Sequence, residues 1–282
     1  MISGRTALYG MMGYPVGHSL SPIMQNAAFA ATNMDAVYVA LPATPEGLAG
    51  AVHGAHALGF LGLNVTVPHK GRAATLCVHL DHVAEEVGAV NTLRRVAEGY
   101  EGYNTDAPAC LMLLEKARVT SGARALILGS GGTARAAFWA LAKLGTHIQV
   151  AARRVEKASE LCHQMLTGLG GDEADRAEEL RWDQVVEDAA RADVVVNATP
   201  IGRSGQPERL PPIRFRPGQV VLDFVYLDSE FTKSAGDAGA TVVTGKQILV
   251  RQGALAFTLW SGRPAPEEAM IAALTRPAGA LR

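Results

Sequence analysis

The stretch that most constrains this chain is residues 125–145, Ala-Leu-Ile-Leu-Gly-Ser-Gly-Gly-Thr-Ala-Arg-Ala-Ala-Phe-Trp-Ala-Leu-Ala-Lys-Leu-Gly. A short apolar run at Leu126–Leu128 meets a turn rich in glycine, and an alanine-rich segment follows. That order predicts strand, tight turn and helix. Gly129 and Gly131 allow the turn and a close ligand approach, and Ala134 is small enough for the helix to pack on the strand. The first N–H groups of such a helix have no intrahelical acceptor and sit at the positive end of its dipole, so a diphosphate fits there. Gly129, Ser130, Gly131, Gly132, Thr133 and Ala134 are therefore the expected dinucleotide-binding turn.

A single core seldom grows past roughly 250 residues, so 282 residues predict about two domains. Apolar residues make up 48%, charged residues 19%, and the formal net charge is -1. This balance fits a globular protein and offers no basic patch for nucleic acid. Cys77, Cys110 and Cys162 are odd in number, far apart and without metal-ligand spacing, which predicts reduced thiols, no metal and a cytoplasmic setting. Gly10, Gly13 and Pro15 occupy the place of a secretory apolar region, and no apolar run approaches 18 residues. A soluble, unprocessed protein without membrane partners is expected.

Ala7–Met12 reads as a strand entering a loop at residues 13–22, Gly-Tyr-Pro-Val-Gly-His-Ser-Leu-Ser-Pro. Ser21 followed by Pro22 predicts a helix start with Ser21 as N-cap. Alternatively, Ser19 and Ser21, two apart in an extended loop, hold a small anion between their hydroxyls. A strand at Ala36–Leu41, a helix at Pro45–Leu58 and a strand at Leu61–Val67 give a β-α-β rhythm. Asn64 and Thr66 share one face of the last strand, and Lys70 lies just past Pro68.

A helix at Val83–Val87 precedes two polar segments, Gly-Ala-Val-Asn-Thr-Leu at 88–93 and Gly-Tyr-Asn-Thr-Asp at 102–106. Asp106 is placed to cap a helix running to Lys116. Beyond Pro108 the pattern becomes regular β/α alternation, with strands at His147–Ala151, Asp193–Asn197 and Gln219–Asp223 and a helix from Val155. A long helix from Gly245 to about Trp260 and a final one at Pro266–Leu274 are expected to return to the first domain. The cofactor ribose is read about 20 residues past the glycines, where an acid selects NAD and arginine accommodates the NADP phosphate. Here the stretch is Val150-Ala-Ala-Arg-Arg154, so Arg153 and Arg154 predict a 2'-phosphate clamp.

With these pieces placed, the chain resembles the shikimate and quinate dehydrogenase family over nearly its whole length. The resemblance rests on residues 13–22, on Asn64-Val-Thr-Val-Pro-His-Lys70, on Gly88-Ala-Val-Asn-Thr92, on Tyr103-Asn-Thr-Asp106, on Asn197-Ala-Thr-Pro-Ile-Gly202 and on Gly245-Lys-Gln-Ile-Leu-Val-Arg-Gln252. It implies an α/β fold of two domains. Residues 1–107 and 246–282 would bind substrate, and residues 108–245 would be an inserted Rossmann-type doubly wound NADP domain.

The resemblance also implies roles. Ser19 and Ser21 would bind a carboxylate; Asn64, Thr66, Asn91, Asp106, Tyr226 and Gln252 would contact the rest of the substrate. Lys70 would be the catalytic acid/base, positioned by Asp106, while Thr199 and Gly245 would border the cofactor. The implied reaction is NADP-dependent interconversion of 3-dehydroshikimate and shikimate by a monomer or homodimer. Two alternatives stay open: a quinate enzyme, with NAD as a possible cofactor, and a catalytically silent ligand-binding regulator.

Overall fold

The computed structural model describes residues 2–170, 177–202, 209–226 and 229–275. In chain order the elements begin with β1 (Ala7–Gly13), α1 (Ser21–Ala31), β2 (Ala36–Pro42), α2 (Leu48–Ala57), β3 (Phe60–Val65) and α3 (Lys70–Ala74). Next are β4 (His79–Leu80), α4 (His82–Val87), β5 (Thr92–Val96), β6 (Gly99–Tyr103), α5 (Asp106–Lys116), β7 (Arg124–Leu128) and α6 (Gly132–Lys143). They continue through β8 (His147–Ala151), α7 (Val155–Gly168), β9 (Ala177–Leu180), α8 (Val185–Arg191), β10 (Val194–Asn197) and β11 (Val220–Asp223). The last are α9 (Glu230–Asp237), β12 (Thr241–Val243), α10 (Gly245–Ser261) and α11 (Glu267–Thr275). Two compact units form: a first from residues up to Glu85, Ala89–Thr105 and the chain from Leu249 on, and a second from Glu86–Gly88 and Asp106–Ile248.

The first unit is built on a six-stranded mixed sheet in the order β2-β1-β3-β5-β6-β4. β1 pairs in parallel with β2 and β3, whereas β5 runs antiparallel to both β3 and β6. Alternation sends Met12, Leu63, Val65, Leu93 and Tyr100 to one face, where they pack with Leu48 and Val52 of α2. On the other face Tyr9 lies 5.0 Å from Phe29 and 5.3 Å from Trp260, and Phe29 lies 5.8 Å from Phe257, centroid to centroid. Burying each of Phe29 and Phe257 stabilises the unit by about 1.5–3 kcal/mol. Gly62 is required by this packing: a Cβ there would stand 2.4 Å from Trp260 Nε1, which donates to Leu93 O at 3.0 Å. On the edge strand β2, the Asn26 side chain of α1 bonds both backbone groups of Tyr38, donating to its O at 2.8 Å and accepting from its N at 2.9 Å.

Two local expectations change here, and one element is added. Ser21 is the first helical residue of α1, not its N-cap, because Leu20 is already helical (φ -87, ψ -7) and the upstream Ser19 Oγ accepts from Ser21 N at 3.2 Å. The helix read from Pro45 begins at Leu48, after a turn held by Gly47 N donating to Thr44 Oγ1. The two polar segments, 88–93 and 102–106, are joined by an antiparallel hairpin, β5–β6, in which Arg94 and Glu101 face each other.

The second unit is a six-stranded, wholly parallel sheet in the order β12-β11-β10-β7-β8-β9. Chain order reverses at β7, which lies between β8 and β10, and ligands of such sheets bind outside the carboxyl ends of the strands at that point. One face buries Leu126, Leu128, Val195 and Val221 against Val185 and Ala189 of α8 and Phe231 of α9. In α6, Ala136, Ala137, Phe138, Ala140 and Leu141 are wholly buried, so this helix is fixed along its length. Among the described residues no helix is long and apolar enough to cross a membrane.

Candidate active site

In the first unit the polar residues singled out by sequence fall at the ends of β1 and β3, on the β5 and β6 segments and on α1 and α10. The loop after β1 is tied to the segment after β3: Thr66 N donates to Met12 O at 2.9 Å and Tyr14 N to Val67 O at 3.1 Å. Gly13 is obligatory at this junction, since a Cβ would lie 2.4 Å from Thr66 Cγ2. His69, buried, bonds through Nε2 to Ala43 O at 2.7 Å and so anchors the start of α3. Lys70, half-buried, opens that helix, and its carbonyl accepts from Val90 N at 2.8 Å.

That bond joins Lys70 to the segment carrying Asn91. Asn64 Nδ2 donates to Asn91 O at 3.2 Å and to Thr92 Oγ1 at 3.0 Å, while its Oδ1 accepts from Tyr38 Oη at 2.7 Å. Asn91 Oδ1 accepts from Thr105 N at 2.7 Å, and Asn91 Nδ2 reaches Thr105 Oγ1 at 3.0 Å and Gln252 Oε1 at 3.5 Å. Gln252 Nε2 is held on its own helix by Leu249 O at 2.8 Å. Asn64, Asn91 and Gln252 thus form one hydrogen-bonded set, and Ser19 and Ser21 lie together at the start of α1. Thr66 joins this region through backbone contacts. Tyr38, Thr92 and Thr105 complete the network and were not singled out in the sequence, because only the folded sheet brings Tyr38 and Thr92 to Asn64, and Thr105 to Asn91.

Asp106 and Tyr226 fall in the second unit, Asp106 as the buried first residue of α5 and Tyr226, half-buried, past the end of β11. The glycine turn there is tightly built. Gly129 adopts φ +112, its N donates to Ala151 O at 2.8 Å, and a Cβ would lie 3.0 Å from Ala198 O and 3.3 Å from Thr199 Cγ2. Gly131 precedes α6 without a side-chain cap, a Cβ on it would meet nothing within 4 Å, and no acid occupies the first turn. An anion can therefore reach the open N–H groups of Gly132, Thr133 and their neighbours, with Ser130 and Ala134 on either side. Arg153 and Arg154 are exposed and follow β8 directly, beside the strand end bonded to Gly129. Open helix start, close glycine and adjacent guanidinium groups fit a phosphorylated dinucleotide.

Beside this turn, Asn197 and Asp223 pair in register on β10 and β11, both buried, with Asn197 Nδ2 donating to Asp223 Oδ1 at 2.9 Å. Asn197 Oδ1 accepts from Thr199 N at 3.1 Å and Thr199 Oγ1 at 2.7 Å, which fixes the loop carrying Thr199. Asp223 also accepts from Val225 N at 3.0 Å and Ser229 Oγ at 2.9 Å. Gly245 sits against the segment after β11, where a Cβ would run into Val225 O and stand 3.0 Å from Tyr226 N. Among the described residues no group of three or more His, Cys, Asp or Glu is placed to hold a metal ion.

Residues 11–93 match the model of the shikimate dehydrogenase substrate binding domain, and residues 247–275 that of the shikimate 5'-dehydrogenase C-terminal domain. The shikimate dehydrogenase (NADP(+)) of Anaeromyxobacter dehalogenans is 59% identical over 280 residues, covering 99% of this chain and 100% of that protein. Among solved structures, a shikimate dehydrogenase in complex with NADP+ superposes with a TM-score of 0.89 at 36% identity, over 97% of this chain and 96% of that one. The shikimate 5-dehydrogenase of Thermus thermophilus in complex with shikimate gives a TM-score of 0.80 at 31% identity, over 95% and 97%.

Proposed function

The chain belongs to the shikimate dehydrogenase family, and we propose from that footing how its residues divide the work of the reaction. It is an oxidoreductase that interconverts 3-dehydroshikimate and shikimate with NADP. NADPH, when bound, supplies the hydride that reduces the ring ketone. Lys70 stabilises the negative charge that grows on the ketone oxygen and delivers the proton, with Asp106 as its positioning partner. Ser19 and Ser21 hold the ring carboxylate, and Thr66, Tyr226, Gln252 and the two asparagines complete the substrate contacts. Gly129 to Ala134 take the diphosphate, Arg153 and Arg154 the 2'-phosphate, and Thr199 and Gly245 border the nicotinamide.

The observation that carries the substrate assignment is the hydrogen-bonded set of Asn64, Asn91 and Gln252, pinned to Lys70 through Val90. A ring bearing several hydroxyls needs several fixed donors and acceptors, each contributing about 0.5–1.5 kcal/mol. The reading includes a division of the chain into residues 1–107 with 246–282 for substrate and 108–245 for the dinucleotide. It extends to a cytoplasmic enzyme, in keeping with three free thiols, working as a monomer or homodimer.

Steady-state assays with shikimate and with quinate, each with NADP and with NAD, test it. The expected result is the highest kcat/KM for shikimate with NADP. A higher kcat/KM for quinate with NAD rejects the substrate and cofactor assignment together.

A further inference from the structure

We propose that Tyr38, Thr92 and Thr105 are positioning residues that give the two asparagines opposite hydrogen-bonding polarity, so that Asn64 offers a ligand only an acceptor and Asn91 only a donor. The inference rests on the reading of these asparagines as substrate contacts and specifies what each contact demands of the ring.

Backbone groups, which cannot change role, fix both amides. Asn64 Nδ2 faces the carbonyl of Asn91 at 3.2 Å, so that atom must be nitrogen, and its other N–H is engaged by Thr92 Oγ1 at 3.0 Å. Neither proton is left for a ligand. Its Oδ1 accepts from Tyr38 Oη at 2.7 Å and keeps a second lone pair. Asn91 is the reverse. Its Oδ1 faces the Thr105 N–H at 2.7 Å and a threonine hydroxyl at 3.1–3.2 Å, Thr92 or Thr105, so both lone pairs are engaged. Its Nδ2 donates to Thr105 Oγ1 at 3.0 Å, while the second N–H points to Gln252 Oε1 at 3.5 Å, a contact long enough to yield to a closer acceptor.

Thr92 and Thr105 join the two amides, their hydroxyls 3.1 Å apart, and Asn64, Asn91, Thr92 and Thr105 are all buried. Turning either amide over would set two donors or two acceptors against each other at a backbone group, which a buried site does not tolerate. The ring hydroxyl at Asn64 must therefore donate, and the one at Asn91 must accept.

The test uses the full chain with NADP and compares Tyr38→Phe, Thr105→Val and Thr105→Ser. The first two are expected to raise KM for shikimate roughly five- to twentyfold, with kcat within about threefold and KM for NADP unchanged. Thr105→Ser, which keeps the hydroxyl, returns KM to near the unsubstituted value. If Thr105→Val does not fold, Tyr38→Phe decides. Two shikimate analogues, each with one non-reacting hydroxyl replaced by fluorine, read polarity directly, because fluorine accepts weakly and cannot donate. One is expected to lose roughly tenfold more kcat/KM than the other. Unchanged KM for shikimate in folded Tyr38→Phe, or equal losses for the two analogues, overturns the proposal. Failure of the unsubstituted chain to oxidise shikimate instead rejects the parent reading, and this one with it.

Discussion

Gln25 Nε2 donates to the Gly253 carbonyl at 2.9 Å, a bond between residues 228 positions apart that ties the helix of Ser21 to the helix of Gln252. Gln25 is completely buried, and its Oε1 has no hydrogen-bond partner among the described residues. Replacing both polar ends of a buried side chain by an apolar one of similar shape removes a bond and an unsatisfied acceptor together. Gln25→Met should therefore change unfolding free energy by less than about 1 kcal/mol, whereas Gln25→Ala, which also opens a cavity, should cost about 2–4 kcal/mol. Urea unfolding of both variants checks the difference, and equal losses would refute it.

Lys70 and Asp106 are assigned to one proton. Removing a positioned acid/base lowers rate by about a hundred- to ten-thousandfold, so Lys70→Ala should collapse kcat while NADP binding persists. Asp106→Asn should do likewise, and the double variant should be far less impaired than the product of the two single losses. Single-turnover rates with NADP affinity measured in parallel give the answer. A fully active Lys70→Ala enzyme removes the assignment.

Arg153 and Arg154 follow the end of β8, and they are the proposed clamp for the ribose phosphate. Each lost charge-assisted bond to that phosphate should cost roughly 1.5–3 kcal/mol, so replacing both arginines by alanine should shrink the NADP over NAD preference at least tenfold. The ratio of kcat/KM for the two cofactors measures it, and an unaltered ratio would place the phosphate elsewhere.

Glu101 accepts from Arg94 Nη2 at 2.6 Å and from Tyr103 Oη at 2.9 Å. The guanidinium bond, helped by the phenol, holds the Glu101 carboxyl below its ordinary value. A carboxyl depressed in the folded state contributes stability above its unfolded pKa and loses it as pH falls through the folded value. Glu101→Gln should therefore flatten the stability decline on the acid side of about pH 4, and leave the alkaline limb alone. Denaturation midpoints across about pH 2.5 to 7 would show this, and an identical acid slope in the variant would contradict it.

The strand, turn and helix at 125–145 were legible because glycine placement and apolar runs are local signals, and β8 falls at His147–Ala151 as its pattern indicates. The β5–β6 hairpin was not legible. Its strands, Thr92–Val96 and Gly99–Tyr103, carry Arg94, Arg95 and Glu101, which only cross-strand pairing makes favourable. Ser21 misled for a local reason, since Leu20 is already helical and Ser21 falls inside the first turn, its own N–H donating back to Ser19 Oγ. The links from Tyr38 to Asn64 and from Asn197 to Asp223 each span 26 positions, and neither can be read before the strand order is known.

The amide of Asn26 imitates the hydrogen bonds of a further strand. At Tyr38, in the middle of the edge strand, it fills both the donor and the acceptor that β2 turns outward and that an incoming chain would need free. The sheet thus carries its own terminator, supplied by a helix that must be in place first. A chain caught with α1 undocked would offer Val37, Tyr38 and Val39 as a bare pairing template, so the folding order of α1 and β2 bears on how this protein avoids self-association while it is being made.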